Sequence, residues 1–376
     1  MEWKEDVLGN VLEVKYGKDH KKLADGQYPV YGSGGLMRYV DSKLYDGPSI
    51  LIPRKGTLNN IMFVESPFWT VDTMFWSIIN TDKVDPKFLF YSICKRDFAS
   101  MNVGSAVPSM TVNILNDIQI SYPKNIEDQR RIASILSSLD RKIELNNKIN
   151  ADLEEMAQAI FKNWFVDFEP FKDGKFVDSE LGMIPDGWKV GRLTEIASYM
   201  NGLAMQKFPP ENNEDSLPVL KIKELGQGFC GTDSDRCSCN IKDECKIHNG
   251  DVIFSWSGTL LVDVWCGGDC GLNQHLFKVT SKDYSKWFYY YWTKHHLQEF
   301  IHIAKDKAVT MGHIKRGHLE EAMVAIPDND SMEKAHELFE PILSKMISLR
   351  LESSRLSLLR DTLLPRLMSG ELEVTE

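Results

Sequence analysis

EDQRRIASILSSLDRKIELNNKINADLEEMAQAIFKNW, residues 127–164, places apolar side chains at Leu136, Leu139, Ile143, Leu153, Ala157 and Ile160. The steps alternate between three and four once Asn146 and Asn150 take the two central seats, which makes a heptad seam with a polar midpoint. Taken as one helix, the stretch is about 38 residues and roughly 57 Å long at 1.5 Å per residue. A lobe of about 125 residues has a radius of gyration of only roughly 14 Å, so a rod of this length projects beyond it. Near the other end of the chain, Ile342, Met346, Leu349, Leu356, Leu363 and Leu367 repeat the plan, with Ser353 and Arg360 as polar seats and Pro341 and Pro365 towards the helix ends. Two such seams suit each other, and the spacing predicts an antiparallel coiled-coil pair whose buried Asn residues set the register.

What precedes each rod is a repeat. Trp3-Lys4 with Leu8 is echoed by Trp188-Lys189 with Leu193, and Gly-Pro-Ser-Ile-Leu-Ile at 47–52 by Gly-Asp-Val-Ile-Phe at 250–254. Asp72-Thr73-Met74-Phe75 is answered by Asn273-Gln274-His275-Leu276-Phe277, and the aromatic run 88–91 by 287–291. Val-Pro-Ser-Met-Thr at 107–111 is matched to Val-Thr-Met-Gly-His at 309–313, and each half then reaches Pro123 or Pro327 before its rod. Self-similarity at one long offset marks a duplication. Alternating apolar runs at 49–52, 60–64, 74–79 and 117–122 read as strands, with turn punctuation at Gly32-Ser33-Gly34-Gly35. The expected fold is therefore α+β: two mixed α/β lobes in pseudo-repeat, joined by two long antiparallel helices. The expected boundaries are 1–123 for lobe one, 124–165 for the first helix, 166–187 for an aromatic and proline-rich connector, 188–328 for lobe two, and 329–376 for the second helix and tail.

The chain has 376 residues, 43% of them hydrophobic, and a formal net charge of -10, enough for two or three domains with real cores. The acidic excess lies mostly outside the lobes, each of which is nearly neutral, so it does not exclude a polyanionic partner. No signal peptide or membrane span is read, because the start is charged and the apolar runs are short. Seven cysteines, six of them crowded between Cys230 and Cys270, suit a reducing cytoplasm better than a disulfide framework.

The familiar catalytic constellations are missing. Gly17-Lys18 and Gly174-Lys175 lack the glycine spacing and the hydroxyl residue of a phosphate-cradling loop, and neither HExxH nor GxSxG occurs. Phe208-Pro209-Pro210-Glu211 is a loop and not the Asn-Pro-Pro-aromatic run that positions an adenine amine, and His336-Glu337 has no second histidine four residues on. No catalytic and no metal residues are assigned. A rival reading is an enzyme with a zinc centre at Cys237, Cys239, Cys245, His248, Cys266 and Cys270, although the spacing is not that of paired CxxC motifs and the first half has no counterpart. A third is a coiled-coil scaffold that touches no DNA.

What does repeat is polar and lies on loops. Pro53-Arg54-Lys55-Gly56-Thr57-Leu58-Asn59-Asn60 leaves a strand with two cations, a hydroxyl, two amides and a glycine that permits close approach to a phosphate backbone. Ser255-Trp256-Ser257-Gly258-Thr259 holds the matching place in the second half, with Lys221 and Lys223 nearby in sequence. Guanidinium, ammonium and amide groups can read purine edges or grip phosphate, and an indole can stack. The expected DNA-binding residues are Arg54, Lys55, Thr57, Asn59, Ser109 and Thr111 in lobe one, and Lys221, Trp256, Ser257, Thr259, Asn273, Gln274 and His313 in lobe two. The expected helix and subunit interface comprises Leu136, Leu139, Ile143, Asn146, Asn150, Leu153, Ile160, Ile342, Met346, Leu349, Leu356 and Leu363.

With these features in place, nearly the whole chain resembles the specificity subunit of type I restriction-modification systems. The likeness rests on Trp164-Phe165-Val166-Asp167-Phe168-Glu169-Pro170, on Phe176-Val177-Asp178-Ser179-Glu180-Leu181-Gly182, and on Ile184-Pro185-Asp186-Gly187-Trp188. It also rests on Tyr31-Gly32-Ser33-Gly34-Gly35, Arg54-Lys55-Gly56-Thr57, the QRRIASIL run at 129–136, Ser255-Trp256-Ser257-Gly258, Leu272-Asn273-Gln274-His275, and Leu364-Pro365-Arg366-Leu367-Met368-Ser369-Gly370. The resemblance implies two target recognition domains, each reading half of a split double-stranded DNA site, with the helices as a ruler. It also implies no cofactor on this chain. S-adenosylmethionine would serve two modification subunits that methylate adenine N6, and ATP and Mg the restriction subunits. Because the two lobes differ in sequence, two different half-sites and a non-palindromic site are implied.

Overall fold

A computed structural model describes residues 1–104, 107–211, 215–306 and 312–374. The chain forms two compact units, Met1–Ile143 with Leu356–Glu376, and Glu144–Arg355.

In the first unit, strand β1 (Trp3–Val7) leads to β2 (Leu12–Tyr16), β3 (Tyr28–Gly32), β4 (Gly35–Val40), β5 (Ser49–Pro53), β6 (Met62–Val64), β7 (Trp69–Thr70) and β8 (Met74–Ile79). Helices α1 (Pro86–Ile93) and α2 (Val112–Asn116) follow, then β9 (Gln119–Pro123), and α3 (Ile126–Phe165) begins. The order β2-β8-β5-β6 makes one four-stranded sheet, β4-β3-β7 makes a second, and β1 pairs antiparallel with β9. Strand β5 is buried throughout because Ile50, Leu51 and Ile52 are an unbroken apolar run between the two cores.

The second unit opens at the end of α3 and continues with β10 (Phe176–Ser179), β11 (Gly182–Pro185), β12 (Lys189–Arg192), α4 (Leu193–Ile196), β13 (Ser198–Asn201) and β14 (Ser216–Leu220). Next come α5 (Ile222–Gln227), β15 (Arg236–Ser238), β16 (Lys246–Ile247), β17 (Val252–Ser255), β18 (Leu261–Val264), β19 (Cys270–Leu272) and β20 (Leu276–Thr280). The unit closes with α6 (Lys286–His295), α7 (Leu297–Asp306), α8 (Arg316–Glu321), β21 (Met323–Ile326) and the start of α9 (Asn329–Met368). Its sheets repeat the first unit: β13-β20-β17-β18 stands for β2-β8-β5-β6, and β12 with β21 for β1 with β9. The parallel pair β14 and β19 stands for β3 and β7. Even the register agrees, since Ile52 faces Phe75 as Phe254 faces Phe277. The duplication seen in the sequence is a duplication of topology.

Helices α3 and α9 are each 40 residues, close to the expected rods. Both begin just after a strand and a proline, Pro123 or Pro327, where the Asn125 carboxamide accepts from the Glu127 N–H at 2.9 Å and the Asp328 carboxylate from the Ser331 N–H at 2.8 Å. The second helix continues through Pro341 and Pro365, whose rings lie on its exposed side. Every expected seam position on the two helices is buried or half-buried. Within the first unit Asp140 meets Arg360 at 2.7 Å, and within the second the Asn146 amide donates to Glu352 at 2.9 Å. Asn150 and Ser353 are buried with no hydrogen-bond partner for their side chains.

The connector motif turns the chain out of α3. Phe168 adopts a left-handed φ of 54°, and burial of its ring against Trp188, at 5.6 Å between centroids, offsets the strain. Phe165 anchors the same corner, touching Trp188, Trp287, Phe288, Trp292 and Phe339.

Among the described residues no helix is long and apolar enough to cross a membrane.

Candidate nucleic-acid interface

In each unit the chain leaves the central strand of the large sheet, β5 or β17, at the same point and enters a short loop. The first loop turns at Gly56 with φ of +88°, the second at Gly258 with φ of +66°, conformations that L side chains rarely adopt and that favour glycine. A second segment pins each loop by matching hydrogen bonds. Gly56 N–H donates to Pro108 O at 3.1 Å, as Gly258 N–H donates to Gly312 O at 2.9 Å. Met110 N–H donates to Arg54 O at 2.9 Å, as Ile314 N–H donates to Trp256 O at 3.1 Å. Lys55 thus stands opposite Ser109, and Ser257 opposite His313. These bonds correct the correspondence expected from sequence by two residues: Ser109 answers His313 rather than Met311. Val309, Thr310 and Met311 lie outside the described residues.

The first loop presents cations. Arg54 lies half-buried with its guanidinium 5.4 Å from the centroid of the Tyr16 ring, and it donates to Asp72 O at 3.1 Å, which holds the fork in place. Lys55 and Thr57 are exposed. Asn59 has both ends of its amide committed within the chain, donating to Asp97 at 3.2 Å and accepting from the Ala99 N–H at 2.8 Å. The Thr111 hydroxyl caps α2 by accepting from the Ile114 N–H, and the Ser109 N–H donates to the Asn102 carboxamide at 2.7 Å. Lys55 and Thr57 therefore face outward beside the braced Arg54, while Asn59 ties the loop to Asp97 and Ala99 and Thr111 caps α2.

The second loop presents neutral groups. Ser257 is buried, its hydroxyl 3.0 Å from His275 Nδ1. Trp256 packs between His275, Phe277 and His313, and its indole N–H is buried without a partner. Asn273 is buried too and accepts from the His275 N–H at 3.2 Å, closing an Asx-type turn. Thr259, Gln274 and His313 are exposed. Beside Gln274 opens a cavity of ≈ 650 Å³ lined by Gln206, Lys221, Lys223, Arg236, Gln274 and His275 among others. Lys221 is paired with Asp235 and Lys223 with Asp233, so each ammonium is partly neutralised. His275, Gln206 and Arg236 did not stand out in the sequence. His275 is the last residue of the Leu272-Asn273-Gln274-His275 motif, and that is the signal the sequence offers; Gln206 and Arg236 carry none.

The cysteine-rich segment builds packing. Cys270 hydrogen-bonds Cys230, which together with burial holds the Cys270 thiol protonated far above its usual range, and burial pushes the Cys266 thiol up to about 11. Cys237 and Cys245 are buried in a small apolar cluster with Met205, Val219 and Ile241. Among the described residues no three histidine, cysteine or carboxylate side chains converge on a point that could hold a metal ion.

The model of the type I restriction modification DNA specificity domain matches residues 1–155 and again 185–349. The chain belongs to this family. Its members are the non-catalytic DNA-recognition subunits of their systems. Over 95% of its length it is 29% identical to the type I restriction enzyme MjaIX specificity subunit of Methanocaldococcus jannaschii, covering 86% of that protein. It is 22% identical to the HindI specificity subunit of Haemophilus influenzae, with 83% of each chain covered. The fold is that of the type I restriction-modification S subunit of M. genitalium, with a TM-score of 0.61 at 15% identity over 100% of this chain and 97% of the other. The twofold match of the family model falls on the two units whose sheets and loops repeat each other in this specificity subunit.

Proposed function

We propose that this specificity subunit reads an asymmetric, bipartite double-stranded DNA site, with residues 1–123 taking one half and 188–328 the other. The observation that carries this reading is the pair of pinned loops: identical backbone hydrogen bonds in both lobes, with Arg54, Lys55 and Thr57 presented by one and Thr259, Gln274 and His313 by the other. A scaffold kept constant while its outward side chains differ is what two readers of different sequences require. Helices α3 and α9, segments 124–165 and 329–376 with their flanks, form an antiparallel coiled coil that spaces the readers. They also offer a docking surface to two adenine-N6 methyltransferase subunits, and restriction subunits join through the complex. The chain itself holds no cofactor; S-adenosylmethionine, ATP and Mg act on the partners, in the cytoplasm.

The test is adenine-methylation mapping of DNA from cells that express the chain with its modification subunit, against cells with the modification subunit alone. The expected result is methylation at one split, non-palindromic motif that depends on this chain. Methylation that is absent, or the same without the chain, would refute the reading.

A further inference from the structure

The Tyr31-Gly32-Ser33-Gly34-Gly35 motif lies outside the loop that carries Arg54, and it turns the chain from β3 into β4, the free edge strand of the β4-β3-β7 sheet, whose surface is unusual. Strand β4 exposes three large apolar side chains, Leu36 at 52%, Met37 at 57% and Tyr39 at 50%. In a regular strand neighbouring side chains alternate between faces. Here the register between β3 and β4 shifts at Val30/Tyr31, so that Leu36 pairs with Tyr31 and Arg38 with Val30, and Met37 is the extra residue of a bulge. A bulge re-aims side chains, and this one leaves both Leu36 and Met37 in solvent.

The tip itself is bare. A Cβ added at Gly34 or Gly35 would meet no atom of the chain within 4 Å. A φ of +113° accounts for glycine at 35, whereas Gly34 has no such constraint, and its bare backbone leaves room for close approach from outside. The hairpin is also joined to the reading loop. Asn60 donates from its amide to Ser33 O at 2.8 Å, and the Cβ direction of Gly56 meets Ser33 Oγ at 3.0 Å. The apolar tip is thus continuous with the surface that presents Lys55 and Thr57.

Strands at the edge of a β-sheet are among the elements that enter DNA grooves, and apolar side chains in the major groove pack against the thymine methyl group. We propose that the β3–β4 hairpin enters the major groove of the first half-site, where Leu36 and Met37 read thymine methyl groups while the Arg54–Thr57 loop takes the adjoining backbone. This rests on the reading of lobe one as a DNA reader.

The experiment uses the complex of the full chain with its modification subunit and a duplex carrying the mapped site. Each thymine of the first half-site is replaced in turn by deoxyuridine, which removes the methyl group alone. Wild type should lose roughly fourfold in affinity per methyl it packs against. The Leu36→Ala/Met37→Ala double variant should start weaker by a comparable factor and lose nothing further, while deoxyuridine in the second half-site acts equally on both proteins. Because both side chains are exposed, the fold does not depend on them. If the wild-type complex prefers its mapped duplex no more than a scrambled one, DNA reading itself fails. If it does prefer that duplex and the double variant matches it in affinity and in deoxyuridine response, the hairpin proposal falls and DNA reading stands. A weaker variant beside a wild type indifferent to deoxyuridine, or a variant that releases the modification subunit, would overturn it as well, the latter assigning the patch to a protein partner.

Discussion

The loops at Arg54 and Trp256 share a backbone and little else. Each leaves the same strand of the same sheet, turns on a left-handed glycine and is fastened by the same pair of hydrogen bonds from a distant segment. One loop then exposes an ammonium and braces a guanidinium on Tyr16; the other buries Ser257 on His275 and packs Trp256 inward. Backbone geometry is duplicated while the side chains it carries are exchanged. The surroundings differ in the same sense. Lobe one carries an exposed apolar strand edge, whereas lobe two fills the matching region with α5 and the cysteine-rich segment and leaves a cavity of ≈ 650 Å³ edged by Lys221, Lys223 and Arg236.

The comparison can be broken most strongly at the core. Phe165→Ala removes a fully buried ring of the second unit and should cost about 3–5 kcal/mol. Hydrogen exchange should show protection lost in β17 and β20 and retained in β5 and β8; equal loss in both sheets would deny the units their separate stability. At the reading surface, Arg54→Ala should cost roughly 1–3 kcal/mol of DNA affinity and relax one half-site only. Uniform weakening on all sequences would make Arg54 a phosphate contact. Asn150→Leu has the opposite sign: its amide is buried without a partner, so the change should stabilise by about 1–3 kcal/mol in thermal unfolding. A lowered melting temperature would mean that the amide is satisfied by bound water. The smallest effect is expected from Ser257→Ala, about 1 kcal/mol from the lost hydrogen bond to His275, with selectivity falling at the second half-site alone.

The rods and the duplication were legible because spacing at 3.5 residues sustained across 127–164 admits few alternatives, and because Asn146, Asn150, Ser353 and Arg360 fall on the seam as polar seats. The strands at 49–53 and 74–79 were equally plain from their apolar runs. The candidate site was legible at the level of loops and not of side chains. Asn59, Thr111, Ser257 and Asn273 have the chemistry of base readers, but the same groups serve as caps and turn closers, and sequence does not distinguish a donor spent inside the chain from one turned outward. The two-residue shift between residues 107–111 and their counterparts followed from matching apolar letters, where backbone hydrogen bonds set the true register. The exposure of Leu36 and Met37 depends on a bulge, which no alternation pattern announces.

The central claim is that each lobe reads its own half of one site. Methylation mapping should therefore be run on wild type, on an Arg54→Ala/Lys55→Ala variant and on a Gln274→Ala/His313→Ala variant, each with the modification subunit. The account predicts one split motif for wild type, degenerate in one half for the first variant and in the other half for the second. A symmetric motif, or loss of both halves together in either variant, would contradict it.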